Sequence, residues 1–266
     1  MRRTSHSRTS GRHQALGELF PPDTLEGDPV AGETDARFPL RPFATEIPRA
    51  ARVDPHAEAP ESVAERLLRL AREAALTGRR ADATRAFEEL LAAEPGHLQG
   101  RLEYAGLFER HGEMEEALSQ LGEAVRHQPD RPDALIARGA FLARLKRHPE
   151  AEADLHRAIR LAPEDANGHF ELGFALWRKG VAEEAATALR RAATLAPHRS
   201  DAEYYLGEAL HQAGDDEGAL QALSRSAALE AGNPKPLQLM GRVLDRLGRP
   251  DEAREMYRRA REARPR

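Results

Sequence analysis

An all-α solenoid of six stacked helix-turn-helix units behind a disordered or extended N-terminal arm is the fold class that this 266-residue sequence predicts. Four phased series predict it. Alanine recurs every 34 residues without exception, at Ala83, Ala117, Ala151, Ala185, Ala219 and Ala253. Proline keeps the same period at Pro95, Pro129, Pro163 and Pro197; Ala231 takes the next place and Pro265 the one after. Glycine keeps it twice. One set is Gly139, Gly173, Gly207 and Gly241, with Ala71 and Ala105 at the earlier equivalents. The other is Gly78, Gly112, Gly180, Gly214 and Gly248, interrupted only by Lys146. A period of this length marks a supersecondary unit that stacks on copies of itself.

Taken in chain order, residues 1–61 come first and carry no helical apolar period. They are rich in Pro, Gly, Ser and Thr. Four arginines and no acid fall in residues 1–17, and ten acids against four arginines in residues 18–61. Such a composition buries too little apolar surface to offset ordering, so this segment is expected to be a disordered or extended arm. Its apolar islands are Ala15–Phe20 and Arg37–Pro48. At Ser62 the character changes. The stretch Ser62-Val63-Ala64-Glu65 offers a capping box, in which the Ser side chain and the Glu side chain satisfy each other's backbone N–H groups.

From there the helical period runs through residues 62–266, divided into units 64–97, 98–131, 132–165, 166–199, 200–233 and 234–266. Each unit reads as two helices of about 12 residues joined by a glycine-containing turn. The small residue in the first helix and the alanine in the second let two backbones approach. Leu142, Leu176, Leu210 and Leu244 in first helices, and Leu155, Leu189, Leu223 and Tyr257 in second helices, fill the seam between them. The proline closes the unit, because it has no N–H to give to the preceding turn. The last helix is very polar, and the sequence leaves open whether it caps the stack or docks on something else.

This pattern resembles the tetratricopeptide repeat, a 34-residue helix-turn-helix with Leu-Gly, Ala, Leu or an aromatic, Ala and Pro at set places. Leu172, Gly173, Leu176, Ala185, Leu189, Ala192 and Pro197 occupy those places in the fourth unit. The resemblance covers about three quarters of the chain and implies a right-handed superhelix. Departures are few: Arg138 stands for the Leu before Gly139, Ser226 and Leu90 for alanines, and Ala231 for a proline.

Composition narrows the function classes. Forty basic and 44 acidic residues leave a net charge of −4, which gives no general attraction to nucleic acid or anionic membranes. The chain has no cysteine, so disulfides, thiol catalysis, thiolate metal sites and the lipidated architecture of six-repeat pilotin lipoproteins are excluded. No apolar run approaches the roughly 18 residues that span a bilayer. The basic, Ser-rich start lacks the apolar core of a secretory signal; an organellar transit peptide is the alternative reading. Arginine outnumbers lysine 37 to 3, a GC-rich bias that points to a bacterial, cytoplasmic protein. Histidines show no metal-ligand spacing, and nucleotide and nucleophile-elbow motifs are missing, so neither enzyme activity, metal nor cofactor is expected. The acid pairs Glu115-Glu116 and Glu183-Glu184 read as solvated charge at helix N-termini.

Function is therefore expected on the concave face that first helices line. The resemblance places the variable groove residues at the second, fifth, ninth, twelfth and thirteenth positions of each unit. Phe170, Phe174 and Trp177 stand at i, i+4 and i+7, one helical face, with Tyr204 and His211 on the next unit. Phe174 and the only tryptophan are expected to anchor a partner, whereas Phe170 and Tyr204 hold a place the family also fills with packing aromatics. Arg110, Arg144 and Arg178, continued by Arg246, form a ladder able to pair with acidic groups; its alternative is ordinary charge at helix C-termini. The expected function is a non-catalytic adaptor holding a peptide or subunit, acidic with an apolar anchor. The alternatives are a structural subunit with a threading arm, or a regulatory subunit acting on an enzyme in trans. Oligomeric state stays open.

Overall fold

The computed structural model describes residues 61–263. Apart from Glu61, the expected arm lies outside the described residues, as does Pro265. Among the described residues the chain is twelve α-helices. They are α1 (Val63–Leu76), α2 (Arg80–Ala93), α3 (Leu98–Arg110), α4 (Met114–His127), α5 (Pro132–Arg144) and α6 (His148–Leu161), followed by α7 (Ala166–Lys179), α8 (Ala182–Leu195), α9 (Ser200–Ala213), α10 (Asp216–Leu229), α11 (Pro234–Arg246) and α12 (Pro250–Glu262). They pair as six antiparallel hairpins in a right-handed superhelical solenoid. Odd-numbered first helices pack on each other across repeats, α3 on α5, α5 on α7 and α7 on α9. None of the described helices is long and apolar enough to cross a membrane.

The punctuation follows the sequence. The capping box forms: the Ser62 N–H donates to Glu65 Oε2 at 2.8 Å, and the Glu65 N–H to Ser62 Oγ at 3.1 Å. First helices end in left-handed turns. Gly78, Gly112, Gly180, Gly214 and Gly248 have φ between 70° and 88°, and Lys146 holds the same turn at φ 62°. The next residue's N–H then reaches back five residues, as Val181 does to Leu176 O at 3.0 Å, which satisfies a carbonyl at the helix end. Second helices end on Glu94, Gln128, Ala162 and Ala196, each extended by the proline that follows. Glu230 adopts the same conformation before Ala231, so the turn forms without a proline there.

The phased glycines are close approaches. A β-carbon on Gly173 would lie 2.6 Å from Leu189 Cγ, one on Gly207 2.6 Å from Leu223 Cγ, and one on Gly241 2.5 Å from Tyr257. Leu189 and Leu223 are completely buried, so they cannot yield. The departures from the repeat pattern are each compensated. Arg138 donates to both carboxylate oxygens of the buried Asp154, at 2.6 and 2.7 Å. The buried Ser226 hydroxyl donates to Ser200 O at 2.9 Å. Leu90 is completely buried, and Gly100 makes room for it: a β-carbon there would stand 2.7 Å from Leu90 Cδ2. The polar α12 buries Ala253 and Ala260 and pairs its outer charges within the helix, Arg258 with Glu255 and Glu262 and Arg254 with Asp251.

Candidate functional site

Helical spacing in α7 projects Phe170, Phe174 and Trp177 from one face, and the neighbouring first helix α9 completes an aromatic cluster. Tyr205 is its hub. Its ring centroid lies 6.0 Å from Phe170, 4.8 Å from Phe174, 5.1 Å from Trp177 and 5.2 Å from Tyr204. The Phe170 and Phe174 rings stack at 6.2 Å, and Phe174 meets Trp177 at 5.6 Å. Exposure sorts the cluster. Phe170 is 7% exposed and belongs to the core, with the Arg199 guanidinium 3.7 Å above its ring. Phe174, Trp177, Tyr204 and Tyr205 are half-buried. Burial and the Tyr204 hydroxyl's hydrogen bond to Glu208 Oε1, at 2.8 Å, push that phenol above its usual range. The Trp177 indole N–H is buried without a partner among the described residues, an unsatisfied donor that costs stability.

Tyr205 is absent from the expected site, because it stands at a sixth position and the groove reading samples the fifth. The signal available was the adjacent pair Tyr204-Tyr205 itself, two of the four tyrosines.

The arginine ladder divides. Arg144 is held by Glu109 of the preceding repeat, at 2.9 and 3.1 Å. Arg246 is held by Asp216 and by His211 O, the latter at 2.6 Å. Hydrogen bonding from Arg246 outweighs burial and, with His211, holds the Asp216 carboxyl below its usual range. His211 Nδ1 lies 2.7 Å from Asp216, so this histidine belongs to an ionic knot at the end of α9 rather than to the aromatic cluster. Arg178 sits 5.9 Å above the Phe174 ring. Arg110 and Arg178 are exposed and form no ion pair among the described residues.

The aromatic cluster forms a half-buried wall on α7 and α9. Cavities open between successive second helices. One of about 840 Å³ is lined by Leu220, Met240, Leu244 and Met256, and one of about 550 Å³ by Ile159, Leu172, Leu176 and His169. Small residues flank the wall on the side of earlier repeats: Gly106 on α3, then Ala140 and Ala143 on α5. The chemistry on offer is apolar contact from half-buried aromatic rings and the charge of the exposed Arg110 and Arg178.

Tetratricopeptide repeat profiles match residues 74–145 and, in a second group, residues 149–200, 170–234 and 239–266. No curated protein matches the sequence. Among solved structures the chain is similar to PilW, described as a widely conserved type IV pilus biogenesis factor, with 21% identity and a TM-score of 0.66 over 73% of this chain and 90% of that one. It is similar to MamA from Desulfovibrio magneticus RS-1, with 24% identity and a TM-score of 0.57 over 62% and 94%. It is also similar to YrrB, described as a TPR protein with an unusual peptide-binding site, with 20% identity and a TM-score of 0.55 over 68% and 93%. At these identities the likeness speaks for the fold.

Proposed function

The chain belongs to the tetratricopeptide repeat family, whose members serve as protein-interaction scaffolds, and from that premise we propose that it is a non-catalytic adaptor that holds a segment of a partner protein on its first-helix face. The observation that carries this reading is the half-exposed wall of Phe174, Trp177 and Tyr205 on two neighbouring first helices. Aromatic side chains of this kind dominate binding energies when a partner covers them, because they bury large area with few rotors. Arg110 and Arg178, which form no ion pair among the described residues, supply orientation at the rim, where exposed pairs contribute little net energy.

The test is capture of partners by the full chain, followed by a titration and a melt for two variants. Trp177→Ala is expected to weaken the captured partner by about 2 kcal/mol or more while disturbing the fold less. Leu176→Ala truncates a side chain that is 5% exposed in the core and is expected to cost about 2–5 kcal/mol of stability. Equal losses of melting temperature with unchanged binding per folded molecule would reduce the wall to packing.

A further inference from the structure

First helices of neighbouring repeats meet in a fixed register, the ninth position of one against the sixth of the next, 31 residues on. At the first joint this couple is Arg72 and Glu103, whose Nε–Oε distances are 2.7 and 3.0 Å. At the fourth joint it is Phe174 and Tyr205, edge to face at 4.8 Å. At the third joint the same register sets Ala140 against Glu171. A methyl group therefore stands where the first joint has a guanidinium, while the carboxylate is kept.

Glu171 is half-buried and makes neither a hydrogen bond nor an ion pair among the described residues. The charges around it are engaged elsewhere. Arg144 on α5 is chelated by Glu109. Arg199, at the start of α9, donates to Asp201 at 2.8 Å and to Asn167 at 2.8 Å while stacking on Phe170. Asp201 adds a like charge. Desolvation outweighs the two arginines and holds the Glu171 carboxyl above its usual range. A carboxylate removed from water without a counterion destabilises its own fold. Natural chains retain such groups where binding uses them.

We propose that the space over Ala140, between the Glu171 carboxylate and the wall of Phe174, Trp177 and Tyr205, takes an arginine side chain of the protein partner. The proposal rests on the reading that a partner lies on this face. It reverses the sign of the expected partner at this joint from acidic to basic. The molecule shows the fit twice: the Arg72–Glu103 couple has the same register, and Arg199 places a guanidinium carbon 3.7 Å from the centre of a ring of this cluster. A cation over an aromatic face and beside a carboxylate combines two attractions that strengthen as water is excluded.

Trp177 is the only tryptophan, so its emission reports on this place alone. The full chain is titrated with the probe peptide acetyl-Ala-Ala-Arg-Ala-Ala-amide and with its glutamate counterpart. The arginine peptide is expected to change Trp177 emission saturably and the glutamate peptide not to. Glu171→Gln is expected to weaken the arginine peptide by about tenfold or more, and Ala140→Arg, which supplies the guanidinium in cis, to block it. A structural role alone predicts a different unfolding signature. The folded-state pKa of Glu171 lies above its unfolded value, so the ionised group costs stability as pH rises through the carboxylate range, and the cost is absent below that range. Glu171→Gln is therefore expected to raise the unfolding midpoint at pH 7, and not at pH values below the unfolded carboxylate range, while it lowers binding. Equal responses to both peptides, no response to either, or an unchanged titration in Glu171→Gln would overturn the arginine site. Partner capture that survives Trp177→Ala would instead overturn the reading of the face itself.

Discussion

Lys146 occupies a left-handed turn, φ 62°, that five glycines occupy elsewhere in the chain. A β-carbon in this conformation crowds the following carbonyl, and only glycine enters it without strain. The structure leaves open space at the equivalent glycines, so the cost at Lys146 is conformational rather than a clash. Lys146→Gly is expected to stabilise the chain by about 1 kcal/mol, read by chemical denaturation; a destabilised variant would mean that the lysine side chain makes a contact of its own. The interruption at Lys146 was visible in the sequence, and its φ follows from the five neighbours in phase. Phe174 and Trp177 were visible in the same way, through spacing on one helix. Tyr205 and Glu171 were not. Their roles depend on a register between helices of different repeats, which reading one column of the repeat at a time does not reveal.

The seam between α2 and α3 differs from its counterparts further along. Leu90 fills it where Ala124 stands one repeat on, and Gly100 faces it where Ala134 stands. The couple is Leu–Gly where the next repeat uses Ala–Ala, so the glycine removes the β-carbon that the larger side chain would meet. Gly100→Ala is expected to cost about 1–3 kcal/mol, because the added methyl meets Leu90, which has nowhere to move. Leu90→Ala in the same chain should return part of that loss by restoring the couple used in the next repeat; thermal melts of the two singles and the double measure the coupling. Element boundaries were legible because glycine, proline and alanine act locally at known places. Leu90 looked like irregularity in a terminal unit, and its compensation lies ten residues away across a turn. Arg138 likewise found its partner, Asp154, on the facing helix.

Over the whole solenoid, buried side chains fall into separate clusters. Ala64, Leu68, Phe87, Leu90 and Tyr104 belong to one in the first two repeats, and a larger one runs from Leu142 to Val243. Stability in stacked repeats is close to a sum of unit and nearest-neighbour terms, so a terminal unit with one neighbour opens first. Amides of α1 and α2 are expected to exchange with deuterium sooner than those of α7 to α9 in the full chain; uniform protection would indicate one cooperative unit. The arginine ladder looked continuous in sequence because its members repeat in phase. The acids that hold Arg144 and Arg246 come from different places in the repeat, Glu109 on a first helix and Asp216 on a second, so the pairing shows only in three dimensions. The phased glycine–leucine contacts also shape what the chain can tolerate genetically. If every position were varied and variants sorted by abundance, intolerance would recur with a 34-residue rhythm set by Gly139, Gly173, Gly207 and Gly241. Sorting the same library by partner capture should add one aperiodic island over α7 and α9, where the aromatic wall breaks the rhythm of the scaffold.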